Sequence, residues 1–372
     1  AAPTADTAAI DAANAAAAAA EAKLAEAEAA AEEAAAADAA SPHPPCGAGS
    51  PAASGAATGD AQAESSRPET GMAVADTDHG YSRIFIFGAS FMDSGNHFAL
   101  TGETAHPPFE FIEFASYGIG GHRPTNGPTW VEVLAKDMGL TESGKPAYRD
   151  PAFGNYAFAY GRAIGSDNTI PKGLAAQVED WGNLNGYCTH VPMDDTLFIV
   201  DSGYADLLDI MAVMAPPEPN LEAAMAIMDG MARSIAANID ALYDCGARNL
   251  LFTTLPPVEY GPISNGGLPP DQIFPALTLL YNNNFLQPIV VQPNLARMNF
   301  NFSAVDLFGF VSGLVLNPGD YGLTNVTDAC VTPFVLKDAF CKNRDEYVFW
   351  DQLHPTKRVH ELIAEHVLGQ LP

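Results

Sequence analysis

The sequence is short of positive charge: 17 lysines and arginines stand against 45 aspartates and glutamates, a formal net charge of −28 over 372 residues. So acidic a chain repels phosphate backbones and anionic membranes, which excludes nucleic acid as an expected partner. The excess says nothing direct about a reaction, because an acidic surface also simply keeps a protein hydrated and soluble. Missing too is any uncharged apolar run of about 20 residues, the length a membrane-spanning helix needs. The five cysteines, at 46, 188, 245, 330 and 341, include no Cys-x-x-Cys pair. Histidines, carboxylates and cysteines nowhere gather at zinc-ligand spacing, so the chain is read without metal or cofactor.

Four of the cysteines have an expected use in bridges Cys330–Cys341 and Cys188–Cys245, with Cys46 left unpaired; buried free thiols in a cytosolic protein are the competing reading. The chain opens at Ala1 with neither methionine nor a basic-then-apolar leader. Any export signal has therefore been removed or lies outside this sequence, and a secreted, extracellular or periplasmic protein is expected. Sequons at Asn301-Phe-Ser and Asn325-Val-Thr matter only in a host that glycosylates exported proteins.

Alanine dominates residues 1–40, with Glu21, Glu26, Glu28, Glu32, Glu33 and Asp38 set against Lys23. That composition favours helix but offers no leucine or isoleucine seam to bury, so a solvated helical or disordered leader is expected. Residues 41–80 turn to Pro, Gly, Ser and Ala and read as a flexible linker. The remainder, 81–372, is long enough for one large domain. Short β-rich runs alternate there with helical stretches, the pattern of a parallel sheet covered by helices on both faces. Strands are expected at Arg83–Phe87, Thr196–Val200, Asn249–Thr254 and Asn301–Val305. Helices are expected at Pro128–Gly139, Leu221–Tyr243, Pro275–Arg297 and Pro355–Leu368. The strands are apolar throughout, as they are when both faces are buried. In such sheets the active site lies at the carboxyl ends of the strands.

The first of those ends reads Gly88-Ala89-Ser90-Phe91-Met92-Asp93-Ser94-Gly95-Asn96. A glycine turn there presents a serine where a helix can begin, which exposes its hydroxyl near free backbone N–H groups. By itself a strand followed by Gly and Ser is usually just a capped turn. Near the far end stands Asp351-Gln-Leu-His354-Pro355-Thr356. A carboxylate three residues before a histidine can orient the imidazole, and Pro355 pre-sets the backbone for the closing helix. Most isolated Asp-x-x-His pairs are ordinary; the two pieces together carry more weight than either.

Phe-Gly-Ala-Ser-Phe-Met-Asp-Ser-Gly-Asn, from Phe87 to Asn96, resembles the first block of the GDSL/SGNH hydrolases, usually Phe-Gly-Asp-Ser-Leu-Ser-Asp-x-Gly-Asn. Asp351-x-x-His354-Pro355-Thr356 is similar to that family's last block. Between them, Arg123 through Trp130, Asn155-Tyr156-Ala157, Gly203-Tyr204-Ala205-Asp206, Leu255-Pro256-Pro257 and Tyr281-Asn282 resemble intervening blocks in the same order, across about Ile84 to Leu368. The resemblance implies a three-layer α/β/α sandwich with a parallel five-stranded sheet in flavodoxin-like order. It also implies acyl transfer through a serine ester: Ser90 attacks, His354 takes and returns the proton, and Asp351 orients the imidazole.

Three departures from the pattern touch this site. Ala89 replaces the aspartate before the nucleophile. Ala205 stands where the third block's asparagine normally donates its amide to the oxyanion. The second block's Gly-Gly falls on Ala159-Tyr160, with Gly161 next. The expected oxyanion donors are therefore the Ser90 backbone N–H, then either Gly161 or a displaced donor, since a non-glycine N–H can also serve, and in place of the lost amide Asn126, Asn155 or Tyr204, with Asn155 preferred; for Asn155 the plainer reading is an amide that ties down its own loop. Asp93 and Asn96 are expected to cap and brace the first turn. The substrate is expected to be an uncharged ester, whether a short- or medium-chain acyl ester, an acetylated sugar or a polyester, handled by a monomer. Acyl transfer to an alcohol or sterol, or a lapsed enzyme kept as a binding module, are the rival readings.

Overall fold

A computed structural model describes residues 79–102, 122–165, 169–214, 218–265, 274–331 and 340–371. The leader 1–40, all but the last two residues of the linker 41–80, Cys46 and the histidine- and phenylalanine-rich stretch around His106 lie outside the described residues.

In chain order the elements are strand β1 (Arg83–Gly88) and helices α1 (Asn96–Thr101), α2 (Trp130–Asp137) and α3 (Leu174–Glu179). Strand β2 (Met193–Asp201) and helices α4 (Tyr204–Val213) and α5 (Leu221–Asp244) follow, then strand β3 (Ala247–Thr253), helix α6 (Phe274–Tyr281), strand β4 (Asn301–Val305) and helix α7 (Leu307–Leu316). A small two-stranded pair, β5 (Asn325–Ala329) with β6 (Tyr347–Phe349), precedes the closing helix α8 (Lys357–Leu368).

The main sheet is parallel in the order β1-β2-β3-β4, with Phe85 opposite Phe198, Phe198 opposite Leu250 and Leu250 opposite Phe302. Alternate side chains feed two cores. Phe85, Phe87, Phe198, Val200 and Phe252 pack on α5 residues such as Met231 and Ile235. Ile84, Ile86, Leu197, Ile199 and Leu251 pack on Trp130 and Leu134 of α2 and on Val359 and Ile363 of α8. Two covered faces are why the strands carry no polar alternation, and each fully buried Phe, Ile or Val contributes about 1.5–3 kcal/mol.

Four regular strands form this sheet, not the expected five. The fifth place, on the open edge of β1, is taken by the segment 154–158. Ile86 donates to Gly154 O at 3.0 Å, and Tyr156 and Phe158 donate to Ile86 O and Gly88 O at 2.8 and 3.0 Å. Regular pairing stops at Gly88, whose N–H donates to Gln177 Oε1 at 2.8 Å rather than to Tyr156 O; on the outer side Asn155 pairs with the backbone of Lys145 and Ala147, and the Asn96 amide donates to the carbonyls of Asn155 and Ala157. Counted as second in the chain, the segment gives the flavodoxin-like order 2-1-3-4-5.

Both helices flanking the site are capped. Thr129 and Glu132 form a reciprocal capping box at α2, and Thr356 accepts from Val359 N–H at α8. The long helix expected from Pro275 to Arg297 is interrupted: after α6 the turns widen to π-helical over Asn282–Val291, around Pro288, and tighten again at Gln292–Leu295. Proline supplies no N–H and crowds the preceding turn, so the wider coil is the local solution. Disulfides join Cys188 to Cys245 and Cys330 to Cys341, as the spacing suggested.

Candidate active site

β1 ends at Gly88, and the chain turns through Ala89 into one 3-10 turn, Ser90–Met92. Glycine is needed at 88 by close approach: a β-carbon there would stand 1.8 Å from the Asp201 carbonyl oxygen. Ala89 N–H donates to that same carbonyl at 3.2 Å, which seats the turn on the end of β2. Ser90 opens the turn, so its backbone N–H has no acceptor within it. Asp93 grips the turn from behind. Its Oδ1 accepts from Gly95 and Asn96 at 2.7 and 2.6 Å, and its Oδ2 from His97 and Ala159 at 3.1 and 2.8 Å. Burial pushes the Asp93 carboxyl up, against those four N–H groups that favour its anion.

The second half of the site hangs between β6 and α8. Trp350 N–H donates to His354 O at 2.7 Å and closes a tight loop. Inside it, Asp351 Oδ1 accepts the backbone N–H groups of Leu353 and His354 at 2.8 and 2.6 Å, while Oδ2 lies 2.8 Å from His354 Nδ1. Paired with a carboxylate, Nδ1 carries the ring proton and leaves Nε2 as the acceptor. That Nε2 is buried and makes no hydrogen bond among the described residues. Ser90 Oγ is not hydrogen-bonded to it, and an unpaired buried nitrogen of this kind costs stability. The loop is pinned from outside: Thr125 Oγ1 donates to Pro355 O at 2.8 Å, and Lys357 N–H donates to Asn126 Oδ1 at 2.6 Å.

Phe91 links the two halves. Its ring stacks on Tyr204 at 4.2 Å between centroids and lies 5.8 Å from the imidazole of His354. Behind it sits His360, whose Nδ1 accepts the N–H of Trp130 at 3.2 Å. Burial first, and His354 nearby second, push the His360 pKa down to about 3, so it stays neutral. Behind the His354 loop lies an apolar cavity bordered by Phe91, Pro257, Val311, Leu353, Pro355 and Ile363.

The segment of the second block faces Ser90 through a different residue from the one expected. Tyr160 N–H points at Ser90 Oγ across 3.5 Å, and Tyr160 adopts φ 62°, a left-handed conformation uncommon outside glycine. Gly161 instead donates its N–H to Phe158 O at 2.9 Å. It is glycine for space, since a β-carbon would come within 2.7 Å of Lys172 O. Asn155 is fully buried and also directed elsewhere: its amide donates to Met92 O at 2.7 Å, and its Oδ1 accepts from Ala157. The structure thus brings Tyr160 to Ser90 and keeps Gly161 and Asn155 in the loop's framework. Ala205, the second residue of α4, is buried and has no polar side chain. Its neighbour Asp206 braces the same loop by accepting from Ala163 and Ile164 N–H at 2.7 and 3.0 Å. The signal for Tyr160 was its place in the block, where the family usually carries glycine.

Comparison with known proteins identifies the family. The family described as GDSL-like lipase/acylhydrolase matches residues 84–367. Three GDSL esterase/lipases of Arabidopsis thaliana align at 26, 25 and 24% identity, over 78, 80 and 76% of this chain and 89, 89 and 85% of their own lengths. The match begins at the strand that leads into Ser90 and ends in the helix that follows His354. The chain belongs to the GDSL-like lipase/acylhydrolase family and is, by that membership, a carboxylic ester hydrolase.

Proposed function

We propose that the chain hydrolyses uncharged carboxylic esters through an acyl-enzyme on Ser90, with His354 as general base and then general acid and Asp351 as its orienting carboxylate. The observation that carries this reading is the Asp351–His354 pair, whose imidazole has Nδ1 engaged at 2.8 Å and Nε2 buried and unspent. Nε2 takes the Ser90 proton as Oγ attacks the ester carbonyl, and the imidazolium returns it to the departing alkoxide. Water then repeats the sequence on the acyl-enzyme. The oxyanion is met by the backbone N–H groups of Ser90 and Tyr160, and no side-chain amide joins them from position 205. Each donor is worth about 3 kcal/mol in the transition state, so two donors describe a working but slower hydrolase.

Two disulfides support an exported protein in an oxidising compartment, and among the described residues no helix is long and apolar enough to cross a membrane. Ser90→Ala should abolish hydrolysis of p-nitrophenyl acetate and butyrate together with labelling by a fluorophosphonate. Unchanged turnover would overturn the assignment.

A further inference from the structure

Asp201 is the last residue of β2 and is wholly buried, yet the triad does not use it. It touches the nucleophile turn twice over. Its carbonyl receives Ala89 N–H at 3.2 Å, and its backbone stands against Gly88, where no side chain fits. Its carboxyl receives the hydroxyl of Tyr204 at 3.3 Å, and the Tyr204 ring stacks on Phe91, the residue after Ser90. Phe91 in turn lies beside His354. The Asp201 backbone thereby seats the nucleophile turn on the end of β2, and its carboxyl reaches the same turn through Tyr204 and the Phe91 ring that lies beside His354. We propose that Asp201 is a positioning residue of the active site, holding the Ser90 turn against Phe91 and His354 while it is protonated, and releasing that alignment when it ionises.

The surroundings of the carboxyl explain why the proton matters. From α4 its Oδ2 accepts the Tyr204 hydroxyl, and among the described residues its Oδ1 and the Thr253 hydroxyl of β3 make no hydrogen bond; the β1 turn offers it only backbone, and Gln177 of α3 is spent on Gly88. Among the described residues no lysine, arginine or histidine forms an ion pair with it. The other acid near this end of the sheet, Asp206, is turned toward the Ala163–Ile164 backbone. Burial pushes the Asp201 pKa up to about 7, the two hydroxyls lowering it by less. The Tyr204 phenol is itself raised well above its usual range by burial and by Asp201, so it remains a donor. An anion formed here has no countercharge. It is relieved only by drawing in water or turning Tyr204 away, and either change loosens the stack on Phe91.

The inference rests on Ser90 being the nucleophile, and its test is separable from that reading. The purified full chain is assayed on p-nitrophenyl butyrate across the neutral and alkaline range, with fluorophosphonate labelling of Ser90 as a second readout. In the unaltered protein, kcat should fall as pH rises through about 7. Asp201→Ala should lower kcat about tenfold or more with little change in KM. Asp201→Asn, an uncharged isostere, should recover most of the rate and lose the alkaline fall. Tyr204→Phe removes a donor that favours the anion and should shift the fall to higher pH, which keeps the proposal testable if Asp201 variants do not fold. An alkaline limb unchanged in both Asp201→Asn and Tyr204→Phe overturns the positioning role while leaving Ser90 labelled. Loss of labelling only on Ser90→Ala, with no fall of kcat through about pH 7 in the unaltered protein, keeps the nucleophile and rejects Asp201.

Discussion

Tyr160 presents its backbone N–H to the hydroxyl oxygen of Ser90 at 3.5 Å while holding φ 62°. A non-glycine residue in that region costs about 1–3 kcal/mol and persists where its surroundings over-determine it. Here Ala159 on one side is held by Asp93 and Gly161 on the other closes a turn on Phe158, so the chain between them has no alternative path. The strain is thus linked to the direction of one N–H. Tyr160→Pro removes that N–H and forbids the φ, and kcat on p-nitrophenyl acetate should drop by about 10²–10³-fold. Tyr160→Gly keeps the N–H and relieves the strain, and should lose far less. Equal losses in the two variants would show that the tyrosine side chain, not its amide, serves the reaction.

Asp351 offers one oxygen to two backbone N–H groups and the other to His354 Nδ1. In Asp351→Asn the backbone donors select the carbonyl oxygen, which leaves the amide NH₂ facing Nδ1. That nitrogen must then accept, the ring proton moves to Nε2, and His354 can no longer receive the Ser90 proton. The loop geometry survives while kcat falls by about 10³–10⁴-fold. A crystal structure of the variant with an undisturbed loop, alongside the kinetic loss, is the expected pair of results.

The proposed triad was legible as a candidate because side chains would do its chemistry, and side chains are what a sequence displays. Asp351 and His354 even share one loop, so their spacing carried their contact. The oxyanion donor was less legible: a backbone N–H has no residue signature, and looking for glycine led to Gly161, whose amide is spent on Phe158. Asn155 looked available until its burial between Met92 O and Ala157 N–H was seen. The fifth strand falls short of a regular one because the segment 154–158 keeps three of the ladder bonds to β1 but loses the one from Gly88 N–H, which goes to the side chain of Gln177. Asp201 stands at the carboxyl end of an apolar strand, where an active site is expected, but the sequence does not separate a buried acid there from an exposed one. Its hydroxyl partner, Tyr204, comes from another element.

The two disulfides should separate on measurement. Cys330–Cys341 spans 11 residues and braces the wall of the site: Cys330 and Val331 donate to Phe349 O and Trp350 O at 3.0 and 2.8 Å, and Phe340 stacks on Trp350, next to Asp351. Cys188–Cys245 spans 57 residues and joins the approaches to β2 and β3, at the end of the sheet opposite Ser90. Loop entropy assigns about 3 kcal/mol to the shorter bridge and about 4 to the longer. Replacing Cys188 and Cys245 by serine should therefore lower the melting temperature more and leave kcat nearly unchanged. Replacing Cys330 and Cys341 should lower kcat at temperatures where the protein remains folded.

Two buried groups give the stability of the fold opposite dependences on pH. His360, held neutral with its pKa near 3, binds no proton in the folded state while the unfolded chain does so below about 6.5. Its contribution is present above that unfolded value and is lost as pH falls toward the folded one. Asp201, with its pKa raised to about 7, keeps its proton where the unfolded chain has released it. Its contribution is present below the unfolded carboxylate value of about 3.9 and is lost as pH rises toward 7. Each is worth several kcal/mol at its extreme, and between about pH 4 and 6.5 the two slopes oppose each other. Single substitutions should unmask them. Relative to the unaltered protein, the melting temperature of His360→Gln should decline as pH rises through this window, and that of Asp201→Asn should climb. Parallel differences in the two variants would mean that the folded protein does not hold these protons as their burial requires.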